Sequence, residues 1–268
     1  MEIIRSMHPD WLVNSWLAIS PESGAAVLID SGGPAEPILQ RLTETGAQLS
    51  HVICTHRHPD HIGQNDFYRR QFGAKIAGPE VERPFIGELD LLLKGGEKWQ
   101  CGALSIRILA VPGHTAGHMA VLIENLAGPE ANETNSITDG ASNSDLHLFS
   151  GDVLFRGSVG GTVGVGASGY EDLRHSVMKV LMTLPQQTQV HPGHMQSTTI
   201  AHEWEHNPIV RFWRGLAPDQ EPRPCTVFDQ SAVLLVEASD YDGGTKCVIQ
   251  RVDCGSLDVV PGSKVLLS

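Results

Sequence analysis

Residues 53–64 read ICTHRHPDHIGQ, and His56, His58, Asp60 and His61 fall within six positions of one another. The preceding run HVICTH (51–56) has the apolar character of a buried strand, while HIGQNDFYRRQFG (61–73) is helical in composition and stops at Gly73. The four polar residues therefore stand where a strand gives way to a helix. In an extended segment residues two apart point the same way, so His56 and His58 can grip one cation. Asp60 and His61 follow Pro59 at the helix start, face another direction, and are available to a second cation. A lone buried histidine is ordinarily a hydrogen-bonded core residue, and a surface cluster can simply be solvated. Three histidines and an aspartate in one short loop are costly to bury without a metal, because each polar group needs a partner.

The chain before and after this loop alternates element types. WLVNSWLAIS (11–20) and AAVLIDSGG (25–33) read as strands, PAEPILQRLTETG (34–46) as a helix ending at Gly46, and AKIAG (74–78) as a further strand, an order of ββαβαβ. From Gly95 the pattern is β-rich: LSIRILAVPG (104–113), HMAVLIEN (118–125) and LHLFSGDVLF (146–155). The polar segment LAGPEANETNSITDGASNSD (126–145) reads as a disordered surface loop, and its sequon-like Asn132-Glu133-Thr134 matters only in a secreted protein. YEDLRHSVMKVLMTLP (170–185) reads as one amphipathic helix with Leu173, Val177, Val180, Leu181 and Leu184 on one side. QVHPGH (189–194) is a short strand with a turn, and STTIAHEWEHNPIVRFWRG (197–215) is helical with a break at Pro208. The tail changes character: SAVLLVEAS (231–239) and KCVIQRV (246–252), joined by the turn DYDGG, then LDVV and KVLLS, form a small β module. The expected domains are 1–220 and 225–268.

Three more residues belong with the loop. His114 opens HTAGH after a strand ending in Val111-Pro112, His194 closes HPGH after another strand, and Asp152 lies at a strand terminus in SGDVLF. Loops at one end of a sheet can converge on one site. Two neighbouring cations lower the pKa of a shared water from about 15.7 to near 7, giving hydroxide without a Ser or Cys nucleophile. One cation polarises a scissile carbonyl and the other stabilises a departing thiolate or alkoxide.

The set THRHPDH, GHTAGH, SGD and HPGH, in this order and at these separations, resembles the metallo-β-lactamase superfamily over about residues 10–215. The resemblance implies a four-layer αββα sandwich within the α/β class, here with a β-rich C-terminal appendix. It implies a first metal on His56, His58 and His114 and a second on Asp60, His61 and His194, with Asp152 bridging. Asp60 and Asp152 are the candidate catalytic carboxylates. The ions are divalent, zinc first, with iron or manganese as alternatives, because mixed His and Asp sites accept all three. Asp30 in LIDSGG matches a turn position of the family, where its role is to orient the metal loop by hydrogen bonds.

FRGSVG (155–160) and VHPGHMQSTTI (190–200) with a following Glu and Asn-Pro are similar to the glyoxalase II branch, the hydroxyacylglutathione hydrolases. This implies a dinuclear hydrolase cleaving a thioester with a metal-bridging hydroxide. Two departures limit that inference: Gly161, Thr162 and Val163 stand where relatives carry Arg and then an acid, and a β module replaces the helical C-terminal domain that holds glutathione. The rival readings are a mononuclear iron persulfide dioxygenase or a lactone hydrolase of the same fold, and a non-enzymatic metal-stabilised binding protein. The filled set of seven ligand positions argues against the last.

Among weaker signals, His118 reads as a turn or supporting residue, His191, His202 and His206 as structural or exposed, and Cys54 as packed. The segment RGSVGGTVGVGASGY (156–170) contains Gly164-x-Gly166-x-x-Gly169, but its strand ends ten residues earlier, so a dinucleotide fingerprint is rejected in favour of a flexible lid or substrate loop.

The 268 residues, 41% hydrophobic, suffice for a sizeable core. A formal charge of -12 argues against nucleic acid, since phosphate binding needs clustered Lys and Arg. MEIIRSMHPDWLVNSW lacks the features of a signal peptide, and no apolar segment approaches the about 18 residues that span a bilayer, so the expectation is a cytoplasmic protein without membrane contact. Five scattered cysteines suit reduced thiols, with a Cys247–Cys254 pair the lesser option. The expected partner is a small-molecule thioester or lactone. The apolar tail strands need cover, either by packing on the domain or in a homodimer.

Overall fold

The segment EIIRSM, outside the strands read from the sequence, is strand β1 (Glu2–Met7), paired antiparallel with β2 (Asn14–Ile19) from Glu2↔Ile19 to Met7↔Asn14. The computed structural model describes residues 1–126, 145–216 and 221–267. The polar segment read as a surface loop, with its Asn132 sequon, lies outside the described residues but for its two ends. The chain divides into two compact units, Met1–Leu109 with Ala120–Phe149, and Ala110–Met119 with Ser150–Ser268.

In the first unit, β1 and β2 continue into β3 (Ala25–Ile29), β4 (Gln48–Ile53), β5 (Lys75–Pro79) and β6 (Leu91–Leu93), hydrogen-bonded in that order. Pairing is antiparallel up to β3 and parallel from β3 to β6. The parallel part needs crossovers, supplied by α1 (Ala35–Thr45) and, beyond the one-turn α2 (Pro59–Ile62), by α3 (Asn65–Phe72). Ile38 and Leu42, one turn apart on α1, and Tyr68 of α3 are buried against Leu17, Leu28, Val52 and Ile76. Both helices end where the sequence says: Gly46 and Gly73 take the left-handed conformation, and their N–H groups bond the carbonyls of Leu42 and Arg69 at 2.9 Å. The stretch read as one helix from His61 is interrupted at Gly63 and Gln64, and the Gln64 N–H bonds the Ser31 hydroxyl at 3.2 Å instead. After the single turn α4 (Arg83–Ile86), the strands β7 (Lys98–Cys101), β8 (Leu104–Ala110), β9 (Met119–Asn125) and β10 (Leu146–Gly151) lie in the order β10-β9-β8-β7.

The second unit holds the two-residue strands β11 (Leu154–Phe155) and β12 (Ser158–Val159), α5 (Tyr170–His175), β13 (Gln189–Pro192), β14 (Thr198–Thr199), α6 (Ile200–His206) and α7 (Pro208–Trp213). The expected long helix from Tyr170 stays α-helical only to His175 and continues as a π turn, Ser176–Val180, and a 3-10 turn, Leu181–Thr183. The Ser176 hydroxyl donates to the Pro112 carbonyl at 2.7 Å where the winding widens. The break at Pro208 is real: Asn207 caps α7, its Oδ1 accepting from the N–H groups of Ile209 (3.0 Å) and Val210 (3.2 Å). The tail is a five-stranded antiparallel sheet, β15 (Arg223–Val227), β16 (Gln230–Ser239), β17 (Thr245–Arg251), β18 (Leu257–Pro261) and β19 (Val265–Leu267), in the order β18-β17-β16-β15-β19. Alternate residues of β16 (Ala232, Leu234, Val236, Ala238) are buried, and Cys225, Val227, Cys247, Ile249 and Val260 complete its apolar cluster. All five cysteines are free; Cys247 is buried and Cys254 exposed. Among the described residues no helix is long and apolar enough to cross a membrane.

Candidate metal centre

In the first unit the parallel pairing of β3 with β4 runs one residue past the strands, the Asp30 N–H bonding the Ile53 carbonyl at 3.0 Å. This sets the Asp30 carboxylate, 2% exposed and with its backbone at φ 55°, beneath the His56 loop. One oxygen accepts the Thr55 N–H at 2.8 Å; the other accepts the Thr55 hydroxyl at 2.9 Å and faces His61 Nδ1 at 2.8 Å.

These bonds decide tautomers. A carboxylate oxygen only accepts, so His61 carries its proton on Nδ1 and presents Nε2 as a lone pair. The Thr55 hydroxyl spends its proton on Asp30, so at 3.0 Å it accepts from His56 Nδ1, and His56 Nε2 is also a lone pair. That atom lies 2.9 Å from Nδ1 of His58, the nitrogen His58 turns toward it. Asp60, less buried, places an oxygen 3.8 Å from His61 Nε2. Gly32 is required here: a Cβ on it would stand 1.4 Å from the Asp60 carbonyl oxygen.

The second unit builds an equivalent set from three turns. His114 donates Nδ1–H to the Gly161 carbonyl at 3.0 Å, leaving Nε2 as a lone pair. Asp152 follows β10, and His194 sits in the turn after β13, where the Gly193 N–H bonds the Gly151 carbonyl at 2.9 Å. One carboxylate oxygen of Asp152 lies 3.6 Å from His114 Nε2 and 3.4 Å from His194 Nε2. Each separation exceeds a hydrogen bond but suits a pair of donors that share an ion, since metal bonds of about 2.1 Å in tetrahedral geometry put two donors about 3.4 Å apart. His118 is spent elsewhere, its Nε2 accepting the Asp152 N–H at 3.0 Å, which gives it the supporting role expected of it. Each unit thus offers buried imidazole nitrogens and carboxylate oxygens, a donor set suited to a divalent metal.

The family model for the metallo-beta-lactamase superfamily matches residues 8–127. A hydroxyacylglutathione hydrolase of Methylococcus capsulatus is 34% identical over 67% of this chain and 60% of its own length. One of Rhizobium etli is 32% identical over 76% of this chain and 67% of its own. The chain belongs to the metallo-β-lactamase superfamily. It spans 60–70% of the length of the first such hydrolases it matches. The crystal structure of TTHA1623 in a di-iron-bound form superposes with TM-score 0.58 at 28% identity, covering 78% of this chain and all of that one, so the mixed α/β architecture is the metallo-β-lactamase fold.

Within this superfamily chain, the branch motif beyond His194 does structural work. Glu203, fully buried, accepts from the Thr198 hydroxyl (2.6 Å), the Gly157 N–H (2.8 Å) and Asn207 Nδ2 (2.9 Å), and Asn207 also donates to the Ser158 carbonyl at 3.0 Å. The glycine-rich segment is tied down at several points rather than free as a lid: Thr162 exchanges backbone and hydroxyl bonds with Val259, and the Gly166 carbonyl accepts the Ala116 N–H at 2.8 Å. His191 Nδ1 pairs with the Ser197 hydroxyl at 2.8 Å, and the rings of His202 and His206 lie tilted at 51° with centroids 4.9 Å apart. Cys54 is buried, takes a hydrogen bond from Asn65, and burial pushes its thiol up to about 12, so it is no nucleophile.

Sequence reasoning passed over Thr55, the Gly161 carbonyl and Tyr241. The Tyr241 ring lies on His194 with centroids 3.9 Å apart and planes at 13°. Thr55 had a signal, its place between Cys54 and His56; the other two had none.

Proposed function

We propose that the chain is a dinuclear metal-dependent hydrolase of a small thioester of the hydroxyacylglutathione type, with His56, His58, Asp60, His61, His114, Asp152 and His194 as the ligand set. The observation that carries this reading is the locked tautomer of His56, His61 and His114, each with Nδ1 occupied and Nε2 left as a lone pair. The position of one Asp152 oxygen within 3.6 Å of two imidazoles that the superfamily assigns to different ions supports a bridging role. The names of the relatives support the thioester, and the di-iron form of TTHA1623 supports two ions.

When bound, such a metal pair supplies a hydroxide at neutral pH and a Lewis acid for the acyl carbonyl. The residues of the chain do the rest. Asp152 would supply negative charge that offsets the repulsion of two neighbouring cations. The Asp30–His61 and Gly161–His114 bonds hold the imidazoles in one orientation, so no reorganisation accompanies reaction. Asp60, the more open of the two carboxylates, would be the one to orient an attacking water. The cytoplasmic address and the division at residues 220–225 belong to the same proposal, the first supported by five unpaired thiols.

Elemental analysis of the purified protein, beside turnover of S-lactoylglutathione, short acyl-lactones, a β-lactam and glutathione persulfide with oxygen uptake, tests the reading. Two metals per chain and preference for the thioester support it; one iron with oxygen consumption overturns it in favour of the dioxygenase. Asp152→Ala should abolish hydrolysis with the circular dichroism spectrum retained, and full activity in that variant would exclude a bridging carboxylate.

A further inference from the structure

At His56, His61 and His114 the imidazole is oriented through Nδ1. At His194 the ring plane itself is held. The Tyr241 ring is stacked on it, and Phe155 meets both edge-on, 6.0 Å from His194 at 79° and 6.2 Å from Tyr241 at 71°. His194 is 1% exposed, so this contact closes one face of the imidazole against water.

Tyr241 comes from the tip of the β16–β17 hairpin in the tail sheet, some fifty residues beyond the ligand it covers. The tip is built to be rigid. The Asp240 N–H bonds the Gly244 carbonyl at 3.0 Å, the Gly243 N–H returns to the Asp240 carbonyl at 3.3 Å, and the Asp242 carboxylate accepts the Gly244 N–H at 2.8 Å. One oxygen of Asp240 accepts the Tyr241 N–H at 2.9 Å, and the other pairs with Lys246 Nζ at 2.8 Å, with both side chains at least nine-tenths buried. A buried ion pair recovers little net stability against its desolvation cost, whereas it fixes geometry well. What it fixes here is the residue between its two ends, and the Lys246 ammonium, committed to Asp240, is not an open hook for an anionic substrate.

We infer that Tyr241 is a positioning residue for the metal centre: the C-terminal sheet delivers its ring to hold His194 in the ligating orientation, making the tail a working part of the site. This rests on the metal-binding reading proposed above. An imidazole that shares its lone pair with a cation becomes electron-poor, and a phenol ring stacked on it is then favoured by its own negative face, so the stack is stronger in the loaded protein. Loss of a group that orients a metal ligand weakens metal retention by about tenfold or more.

The test compares the full-length protein with Tyr241→Phe, Tyr241→Ala and Tyr241→Leu. Metals per chain are counted, and the rate of release of each equivalent to EDTA is followed, with the melting temperature of the chelated forms as a check on folding. The inference expects Tyr241→Phe to behave as the parent, and Tyr241→Ala to release one equivalent about tenfold faster while its chelated form melts as the chelated parent does. Tyr241→Leu fills the space without an aromatic face and should resemble the alanine variant, and it decides the matter if the alanine variant does not fold. Release at the parental rate from the leucine or alanine variant overturns the inference while leaving the metal reading intact. A parent protein that binds no metal overturns both.

Discussion

His61 Nδ1 lies 2.8 Å from an oxygen of Asp30, and both side chains are buried to within 2% of complete. The same carboxylate holds Thr55, whose hydroxyl meets His56, so one aspartate at the end of β3 orients two histidines of the loop after β4. Replacing Asp30 with Asn puts an amide where three donors converge. We expect Asp30→Asn to lower metal affinity by about 10- to 100-fold, read as loss of bound metal on dialysis against a chelator series. Unchanged retention would show that His61 is held by something else.

Gly160 packs on the backbone of Asp152. A Cβ there would stand 1.9 Å from the Asp152 carbonyl oxygen and 3.2 Å from the Cβ of His114. Gly160→Ala therefore has to displace two proposed ligands and should lose most activity and about 1–3 kcal/mol of stability, as overpacking does. Gly164→Ala, at a glycine with open space around its Cβ position, is the control and should be silent in both the assay and the urea titration.

Glu203 gathers three donors in a fully buried place. Glu203→Ala strands them, at about 1–3 kcal/mol for each buried group left unsatisfied, so the urea midpoint should fall sharply. The Gly157 N–H is one of the three, and the loop between β11 and β12 should loosen with it. Hydrogen exchange at residues 156–160 would report this, and protection equal to the parent would remove Glu203 from the account.

Burial raises the thiols of Cys54, Cys225 and Cys247 above the ordinary cysteine range, Cys54 to about 12, while Cys254 is exposed. Native protein should therefore give Cys254 to Ellman's reagent at once and Cys54 only after unfolding. A raised folded pKa means the folded chain keeps its proton where the unfolded chain has lost it, so the Cys54 contribution is complete below the unfolded thiol value near 9 and lost as pH climbs from there toward about 12. Cys54→Ala should flatten that alkaline limb of the stability curve.

Much of the architecture was legible because its causes are local. Gly46 and Gly73 end helices since they alone enter the left-handed region without penalty, Pro208 divides a helix because it lacks an N–H, and β16 announces itself by the unbroken apolar, β-branched-rich run Ala232–Val236. The single helix expected from Tyr170 was not decided locally. Its apolar spacing is helical, but a bond from Ser176 to Pro112, on a distant segment, accompanies the change of winding. The strand β1 was missed for a related reason: Glu2 and Arg5 dilute its alternation, and its partner β2 supplies the pairing.

The candidate ligands were readable because metal chemistry demands particular side chains at short spacings, and the spacing of HRHPDH is written in the chain itself. How those side chains are aimed was not. Which imidazole nitrogen carries the lone pair depends on a carboxylate 31 residues away for His61 and a carbonyl 47 residues away for His114, and His194 is covered by a hairpin tip from the tail. A hydrogen bond or a ring stack forms between whatever the folded chain brings within a few ångströms, and sequence distance places no constraint on that. Residue types and their local order set the available chemistry; only folding assigned each donor atom its direction.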